Sequence, residues 1–329
     1  MAALRILVTG GAGYVGSVLV PRLVACGHHV VVLDTFWYGR TLQAHDSLTQ
    51  LQGDIRDRLD VQIAVADCDA VIHLACVSND PSFDLDPKLG ESINGPDTMR
   101  QLVYLAQGSG VKQFIYASSS SVYGIQDGDC DESAPLNPLT DYSRFKVEGE
   151  QVLAQASREM DYTIVRPATV CGYSPRQRLD VIVNIFTNQA WNTGRVMVNG
   201  GTQLRPNIHI ADMCSVYELL LISDRELINR QTFNAGHGNA TVLDIAKTVQ
   251  RVVSAEKGEA ISLGITTNND KRSYHVSSEK LARVLGFRAE KSISDAARDL
   301  CRAFKGGKLP ESMTDPRYFN IKIMQGQNG

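Results

Sequence analysis

No stretch of the 329-residue chain approaches the roughly 20 consecutive apolar residues that a bilayer span needs, so no membrane partner is expected. An excess of basic charge is also lacking. The 33 Lys and Arg against 36 Asp and Glu leave a net charge of −3, which makes no electrostatic case for nucleic acid. The seven cysteines are odd in number, scattered and without a CxxC pair, so neither a metal site nor a disulfide framework is indicated. They read as reduced thiols of a cytoplasmic protein. Residues 1–30 lack the pattern of a signal peptide, because Arg5 and the glycines interrupt the apolar run and an amphipathic helix follows directly. Internal repeats and low-complexity tracts are missing too. What remains is 43% apolar and 21% charged, an ordinary globular composition with room for one large or two smaller domains.

Against that background Leu4–Gly16, LRILVTGGAGYVG, stands out. The apolar run Ile6-Leu7-Val8 has the character of a strand buried on both faces, and Val15, Leu19, Leu23 and Val24 fall at helical spacing beyond the glycines. Strand, glycine turn and helix start make half of a dinucleotide-binding βαβ unit. In it Gly10 permits the tight turn, Gly13 lets the backbone approach a pyrophosphate and Gly16 lets the helix pack on the strand. The free N–H groups at the helix start favour phosphate. A second apolar strand, His29–Leu33, ends in Asp34, 18 residues beyond Gly16, where a carboxylate accepts hydrogen bonds from an adenosine ribose. Asp34 would repel a 2′-phosphate, so NAD is preferred over NADP even with Arg40 nearby.

Strands and helices then alternate. Short strands are expected at Leu51–Asp54, Ala70–Ala75, Lys112–Ser118 and Tyr162–Val165, with helices over about Pro87–Ser109 and Asp141–Arg158. Such alternation implies an α/β fold with a Rossmann-type, doubly wound parallel sheet. Further on, helices are expected at Arg178–Trp191, Ala211–Asp224, Thr241–Val253, Ser277–Leu285 and Ser292–Phe304, with strands at Arg195–Val198 and near Phe233. From Pro310 onward no periodic element is visible, which leaves a packed extension or a loose tail. The NAD-binding domain is assigned to 1–172, with 208–238 returning to it, and a smaller α/β substrate-binding lobe to 173–329.

Tyr142 and Lys146 sit four apart near the start of a helix and so share a face. An ammonium beside a phenol favours the phenolate and lowers its pKa from about 10, as a general base for a sugar hydroxyl requires. The run Ser118–Ser121 ends a strand at the edge of the sheet where ligands bind. His73 and His209 read as satisfied core histidines and Tyr123 as packing. Cys76 and Cys171 have no neighbouring His to argue for nucleophilic work.

Together these residues resemble the extended short-chain dehydrogenase/reductases of the nucleotide-sugar epimerase and dehydratase group. The matching stretches span almost the whole chain: TGGAGYVG (9–16), GDIRD (53–57), HLAC (73–76), YASSSSVYG (116–124), YSRFK (142–146), VRPATVCG (165–172), RPNIHIAD (205–212) and KRSYHVSSEKLARVLGF (271–287). The resemblance implies Tyr142 as catalytic base and acid, Lys146 as holder of the nicotinamide ribose, and Ser119 as a hydrogen-bond partner of the reacting oxygen. It implies an NAD site formed by Gly10, Gly13, Tyr14, Val15, Gly16, Asp34, Asp54, Ile55, Leu74, Ala75, Ser118 and Pro167. Thr169, Asn184, Arg205 and Arg272 are implied on the side of a nucleotide-diphosphate sugar, the arginines clamping its diphosphate. A homodimer through the helices at about 87–109 and 141–158 is implied as well.

Departures narrow the chemistry. Dehydratases of this group carry an Asp-Glu pair after the catalytic hydroxyl residue, and Ser120 and Ser121 stand there instead, which argues against 4,6-dehydration. Many 4-epimerases have Asn where this chain has Thr169. Val77–Ser82 and Ser174–Asp180 also differ from ordinary UDP-galactose 4-epimerases, and the latter is more like a subgroup handling rarer bacterial nucleotide sugars, GDP-heptoses included. The reading is a nucleotide-sugar 4-epimerase working through a 4-keto intermediate. A net 4-dehydrogenase or 4-ketoreductase uses the same triad and stays open. A non-catalytic NAD sensor on this fold typically loses the Tyr or the Lys, and both are present here.

Overall fold

Ile6, Leu7 and Val8 form the centre of strand β1 (Arg5–Thr9) in the computed structural model, which describes residues 3–126, 128–157, 159–266 and 275–327. All three are fully buried, Ile6 and Val8 in the core on one face of the sheet and Leu7 in the core on the other. The first half of the chain continues with α1 (Gly16–Ala25), β2 (His29–Asp34), β3 (Leu48–Gln52), α2 (Arg58–Val65), β4 (Ala70–His73), α3 (Asp80–Leu85), α4 (Pro87–Asn94), α5 (Pro96–Gly108), β5 (Gln113–Ala117), α6 (Asp141–Ala156) and β6 (Asp161–Pro167). The second half runs β7 (Thr169–Cys171), α7 (Ile182–Thr193), β8 (Arg195–Asn199), β9 (Leu204–His209), α8 (Ile210–Ile222), α9 (Arg225–Ile228), β10 (Gln231–Ala235), β11 (Gly238–Thr241), α10 (Val242–Lys257), β12 (Ser262–Thr266), α11 (Glu279–Leu285), α12 (Ile293–Lys305) and α13 (Asn320–Gln327).

Seven strands form one parallel sheet in the order β3-β2-β1-β4-β5-β6-β10. The order reverses between β1 and β4, and such a switch point opens a crevice at the carboxyl ends of the strands. The expected Rossmann sheet is therefore present, and residues 231–235 return to it as its edge strand β10. Beside it β11, β9 and β7 form a three-stranded sheet, while β12 pairs with β8. A separate core from α7, α10 and α12, centred on Val183, Val249 and Ala297, fills that region.

Two expectations are corrected, and one left open is resolved. The helix expected over Pro87–Ser109 is two helices, because Gly95 turns extended (φ −71°, ψ 167°) ahead of Pro96, which has no N–H to continue the ladder. Residues 178–181 are not helical. There Leu179 N–H donates to the Tyr318 carbonyl and Arg178 pairs with Asp180 at 2.9 Å, so local pairing and a distant segment outbid the helical pattern. The chain beyond Pro310 is a packed extension. Its helix α13 buries Met324 against Val77, Phe83 and Phe145, residues too far away in sequence to show a local period.

A buried polar chain runs beneath the carboxyl ends of β5, β6 and β10. Glu150 of α6 takes both Arg166 Nε (2.9 Å) and Nη2 (2.6 Å) and also accepts the Ser118 hydroxyl. Arg166 Nη1 donates to the Tyr123 oxygen, and Tyr123 donates to Asn234 Oδ1 at 2.7 Å. Glu150 and Arg166 are 6% and 5% exposed, so removing one partner strands a buried charge. His73, read from sequence as a satisfied core residue, is one: its Nδ1 bonds the Thr9 hydroxyl at 2.7 Å and its ring stacks on Tyr116. Burial, reinforced by the Lys146 charge, pushes its pKa down from 6.5 to about 3.

Two predictions follow from these buried groups. Glu150→Ala is expected to cost roughly 3–5 kcal/mol in urea unfolding at pH 7, whereas the double change Glu150→Gln with Arg166→Met costs clearly less than that. The depressed His73 pKa means the unfolded chain takes up a proton first as pH falls, so stability is intact above pH 6.5 and is lost between 6.5 and about 3. Between pH 7 and pH 5 this amounts to about 2 kcal/mol, and a His73→Gln chain should show a correspondingly flatter acid limb.

Candidate active site

The glycine turn is shaped by contacts that tolerate no side chain. Gly10 has a φ of +69°, and a Cβ there would lie 2.7 Å from the Ala75 backbone; at Gly16 a Cβ would lie 2.4 Å from the Gly11 carbonyl oxygen. The turn is tied to the end of β2 by Asp34, whose carboxylate accepts the Ala12 N–H at 2.9 Å and the Phe36 N–H at 2.8 Å. Burial raises the Asp34 pKa and these two bonds oppose the rise. Arg40 lies 3.8 Å over the Phe36 ring and bonds Gln52, and its charge also opposes the rise at Asp34.

These elements surround a cavity of about 350 Å³ at the carboxyl ends of the central strands. Gly10, Gly13, Tyr14, Val15, Gly16, Asp34, Asp54, Ile55, Leu74, Ala75, Ser118, Ser119, Tyr142, Lys146, Pro167 and Thr169 all line it, so residues expected from dispersed motifs converge on one space. The residues fit NAD. Gly13 opens onto the cavity at the start of the ten-residue α1, and Asp34 and Asp54 stand at the ends of β2 and β3. Ser118 lines the wall, but its hydroxyl is committed to Glu150.

On the far wall, Thr140 caps α6 through a capping box with Ser143, which starts the helix one residue before Tyr142. Ser119 caps a short 3₁₀ turn at Ser120–Tyr123, accepts the Ser121 N–H at 3.1 Å and lies near enough to the Tyr142 phenol to favour its ionised form. Lys146 is 3% exposed and its Nζ donates to the Ala117 carbonyl at 2.7 Å, 5.9 Å from the Tyr142 ring centroid. The expected lowering of the phenol pKa by Lys146 is not seen. Burial raises the Tyr142 pKa well above 10, with Cys76 and Asp80 adding to the rise and Ser119 and Arg178 opposing it. Burial disfavours the phenolate, so Tyr142 rests as the neutral phenol.

The substrate-side residues divide. Thr169 lines the main cavity and also a second, adjoining space of about 220 Å³ that holds Arg205, with Asn79, Asp80, Ser121 and Val181 shared between the two. Asn184 is not brought to either space. It is fully buried, accepts the Gly172 N–H at 3.0 Å and donates to Tyr14 and to the Arg178 carbonyl, so it holds a loop in place. Arg272 lies outside the described residues. The wall also contains Tyr38, Asp80, Arg176, Arg178 and Asn320, none of them singled out as site residues from sequence. Arg176 and Arg178 fall in the Ser174–Asp180 stretch whose unusual composition was visible, whereas Asn320 sits in a segment without any local signal.

Comparison with known proteins agrees with this geometry. The model of the "NAD dependent epimerase/dehydratase family" matches residues 6–236. A UDP-glucose 4-epimerase of Lactobacillus helveticus is 28% identical over 309 residues, covering 87% of this chain and 92% of its own length. The low-salt glycan biosynthesis protein Agl12 of Haloferax volcanii is 30% identical over 305 residues, covering 88% of this chain and 95% of its own. Among solved structures, MoeE5 in complex with UDP-glucuronic acid and NAD superposes with a TM-score of 0.79 at 27% identity, covering 92% of this chain and 99% of that one. With a family match across most of its length and a cavity formed by the family's motifs, the chain belongs to the NAD-dependent epimerase/dehydratases, enzymes of the extended short-chain dehydrogenase/reductase type.

Proposed function

We propose that the protein is a nucleotide-sugar 4-epimerase. The observation that carries this reading is the wall formed by Ser119 and Tyr142, backed by Ser120 and Ser121 where a dehydratase would need carboxylates. NAD, when bound, supplies reversible hydride transfer at C4 of the sugar. Tyr142 takes the C4 hydroxyl proton during oxidation and returns one to the 4-keto oxygen, with Ser119 holding that oxygen in place. A phenol held neutral by burial favours the proton-donating half, so the oxidising half gains rate as pH rises toward the phenol's ionisation. Lys146, fixed on the Ala117 carbonyl, is placed to hold the ribose beside Tyr142. Arg205 in the adjoining space meets the diphosphate of the substrate. The 4-epimerase named among the relatives, and the UDP-sugars in the MoeE5 complexes, support a nucleotide-diphosphate sugar as substrate.

The reading extends to the whole assembly. It places the dinucleotide domain in 1–172 with 208–238, the sugar-nucleotide lobe in the rest of the second half, and a cytoplasmic homodimer joined through α5 and α6. Tyr104 on α5 is 65% exposed and suits such a contact. Light scattering of the purified chain tests the dimer.

The deciding experiment incubates the protein with UDP-, GDP-, CDP- and dTDP-sugars and follows the products by NMR and absorbance at 340 nm. A C4 epimer without accumulating NADH is expected; stoichiometric NADH with a released keto sugar would make it a 4-dehydrogenase instead. Tyr142→Phe should lower turnover by about 10²–10⁴ while the NAD content of the purified protein stays unchanged. Arg205→Ala should raise KM for the sugar nucleotide about 10–100-fold, the loss of a charged hydrogen bond, again with unchanged NAD content.

A further inference from the structure

Arg176 is a charge with too few partners. It is 3% exposed, and its Nη2 donates to Asn320 Oδ1, but Nε and Nη1 have no hydrogen-bond partner. One face of its guanidinium lies 3.7 Å from the Tyr38 ring centroid. The nearby carboxylates are spoken for. Asp34 holds the Ala12 and Phe36 N–H groups, and Asp180 holds Arg178 and the Asn320 N–H. Arg178 lines the same cavity and also has a buried Nη2 without a partner. Leaving guanidinium donors dry and unpaired is costly, so the arrangement is explained by an anion that enters the cavity.

Its position selects the anion. Arg176 lines the main cavity with Gly10 and Gly13, stacks on the loop that follows β2, and is within electrostatic range of Asp34. Arg205, in contrast, lies in the adjoining space. We propose that Arg176, supported by Arg178 and pinned by Asn320, binds the diphosphate of the NAD held in this cavity. The C-terminal segment is thereby part of the cofactor site. Asn320 fastens it on three sides, to Arg176, to Ser78 through Nδ2 at 2.9 Å and to Asp180 through its N–H at 2.9 Å, while Met324 anchors α13 in the core beneath. Burial and Arg178 lower the Arg176 pKa to about 10, in keeping with two cations facing a common anion. The inference rests on NAD occupying the cavity and adds a residue to its binding.

The test compares full-length wild type with Arg176→Met, Arg176→Lys and Asn320→Ala. Bound NAD per chain is measured after acid release, and calorimetric titrations use NAD, ADP, adenosine and UDP. Arg176→Met is expected to weaken NAD and ADP binding about 10–100-fold and to leave adenosine and UDP unchanged, as loss of a charge-assisted phosphate contact requires. Asn320→Ala keeps the charge but loosens it, and should weaken NAD about 3–10-fold. The ligand-free melting temperature of Arg176→Met should equal or exceed that of wild type, a direction that a purely structural arginine would reverse. Unchanged NAD and ADP affinity in Arg176→Met overturns the proposal. So does a selective loss of UDP affinity, which would place the arginine on the sugar nucleotide. Should Arg176→Met fail to fold, Arg176→Lys and Asn320→Ala decide by the same titrations. A wild type that binds no NAD at all would instead refute the functional reading itself.

Discussion

The Glu150–Arg166 ion pair is the constraint on which the active-site geometry depends. Tyr142, Lys146 and Glu150 follow one another at four-residue intervals along α6, so a single helix face carries all three. Glu150 is clamped by Arg166 from β6 and by Ser118 from the end of β5. Locking it sets the rotation of α6 against the sheet. That rotation aims Tyr142 at Ser119, the neighbour of Ser118, and brings Lys146 onto the Ala117 carbonyl. The pair continues through Tyr123 to Asn234, so the edge strand β10 is tied to the same point. A buried pair with full hydrogen bonding contributes little net stability but fixes one arrangement out of many. In this chain the arrangement it fixes is that of Ser119, Tyr142 and Lys146 around the cavity.

The cavity itself is cationic on several sides for different reasons. Lys146 donates to a backbone carbonyl, Arg178 pairs with Asp180, and Arg176 bonds Asn320 through one nitrogen. Desolvation therefore acts unevenly. It holds Tyr142 protonated and His73 neutral, and it leaves Arg176 charged but under-coordinated. On the proposed reading, with NAD and a nucleotide-diphosphate sugar in adjoining spaces, the guanidinium donors recover their hydrogen bonds when a ligand arrives.

Much of this is legible in the amino-acid sequence alone. The buried strands of the sheet announce themselves as short β-branched runs, and the glycine turn with Asp34 follows from steric rules that hold in any context. The Tyr142 and Lys146 pair is a matter of helical spacing. What escaped depends on contacts between distant residues. Nothing local says that Asn184 points at Gly172 and Tyr14, or that Arg178–Val181 surrenders its helical pattern to Tyr318 and Asp180. The phenol's raised pKa likewise reflects the depth of the site, whereas spacing reveals only the neighbouring ammonium. Asn320 lies in a stretch with no period of its own and acquires meaning solely through Arg176 and Ser78.

Asn320 also has a bearing on how the chain matures. It meets Arg176 across 144 positions and Ser78 across 242, while Tyr14 meets Gly172 across 158. Contacts of such span form late, since the entropy of closing long loops must be met before they contribute. A nascent chain can therefore own a finished glycine turn and sheet centre long before it owns a finished dinucleotide cavity. On the proposal that Arg176 holds the cofactor's diphosphate, retention of the cofactor becomes a seal on completed folding, and the nucleotide stabilises the entire chain rather than the half that bears its fingerprint.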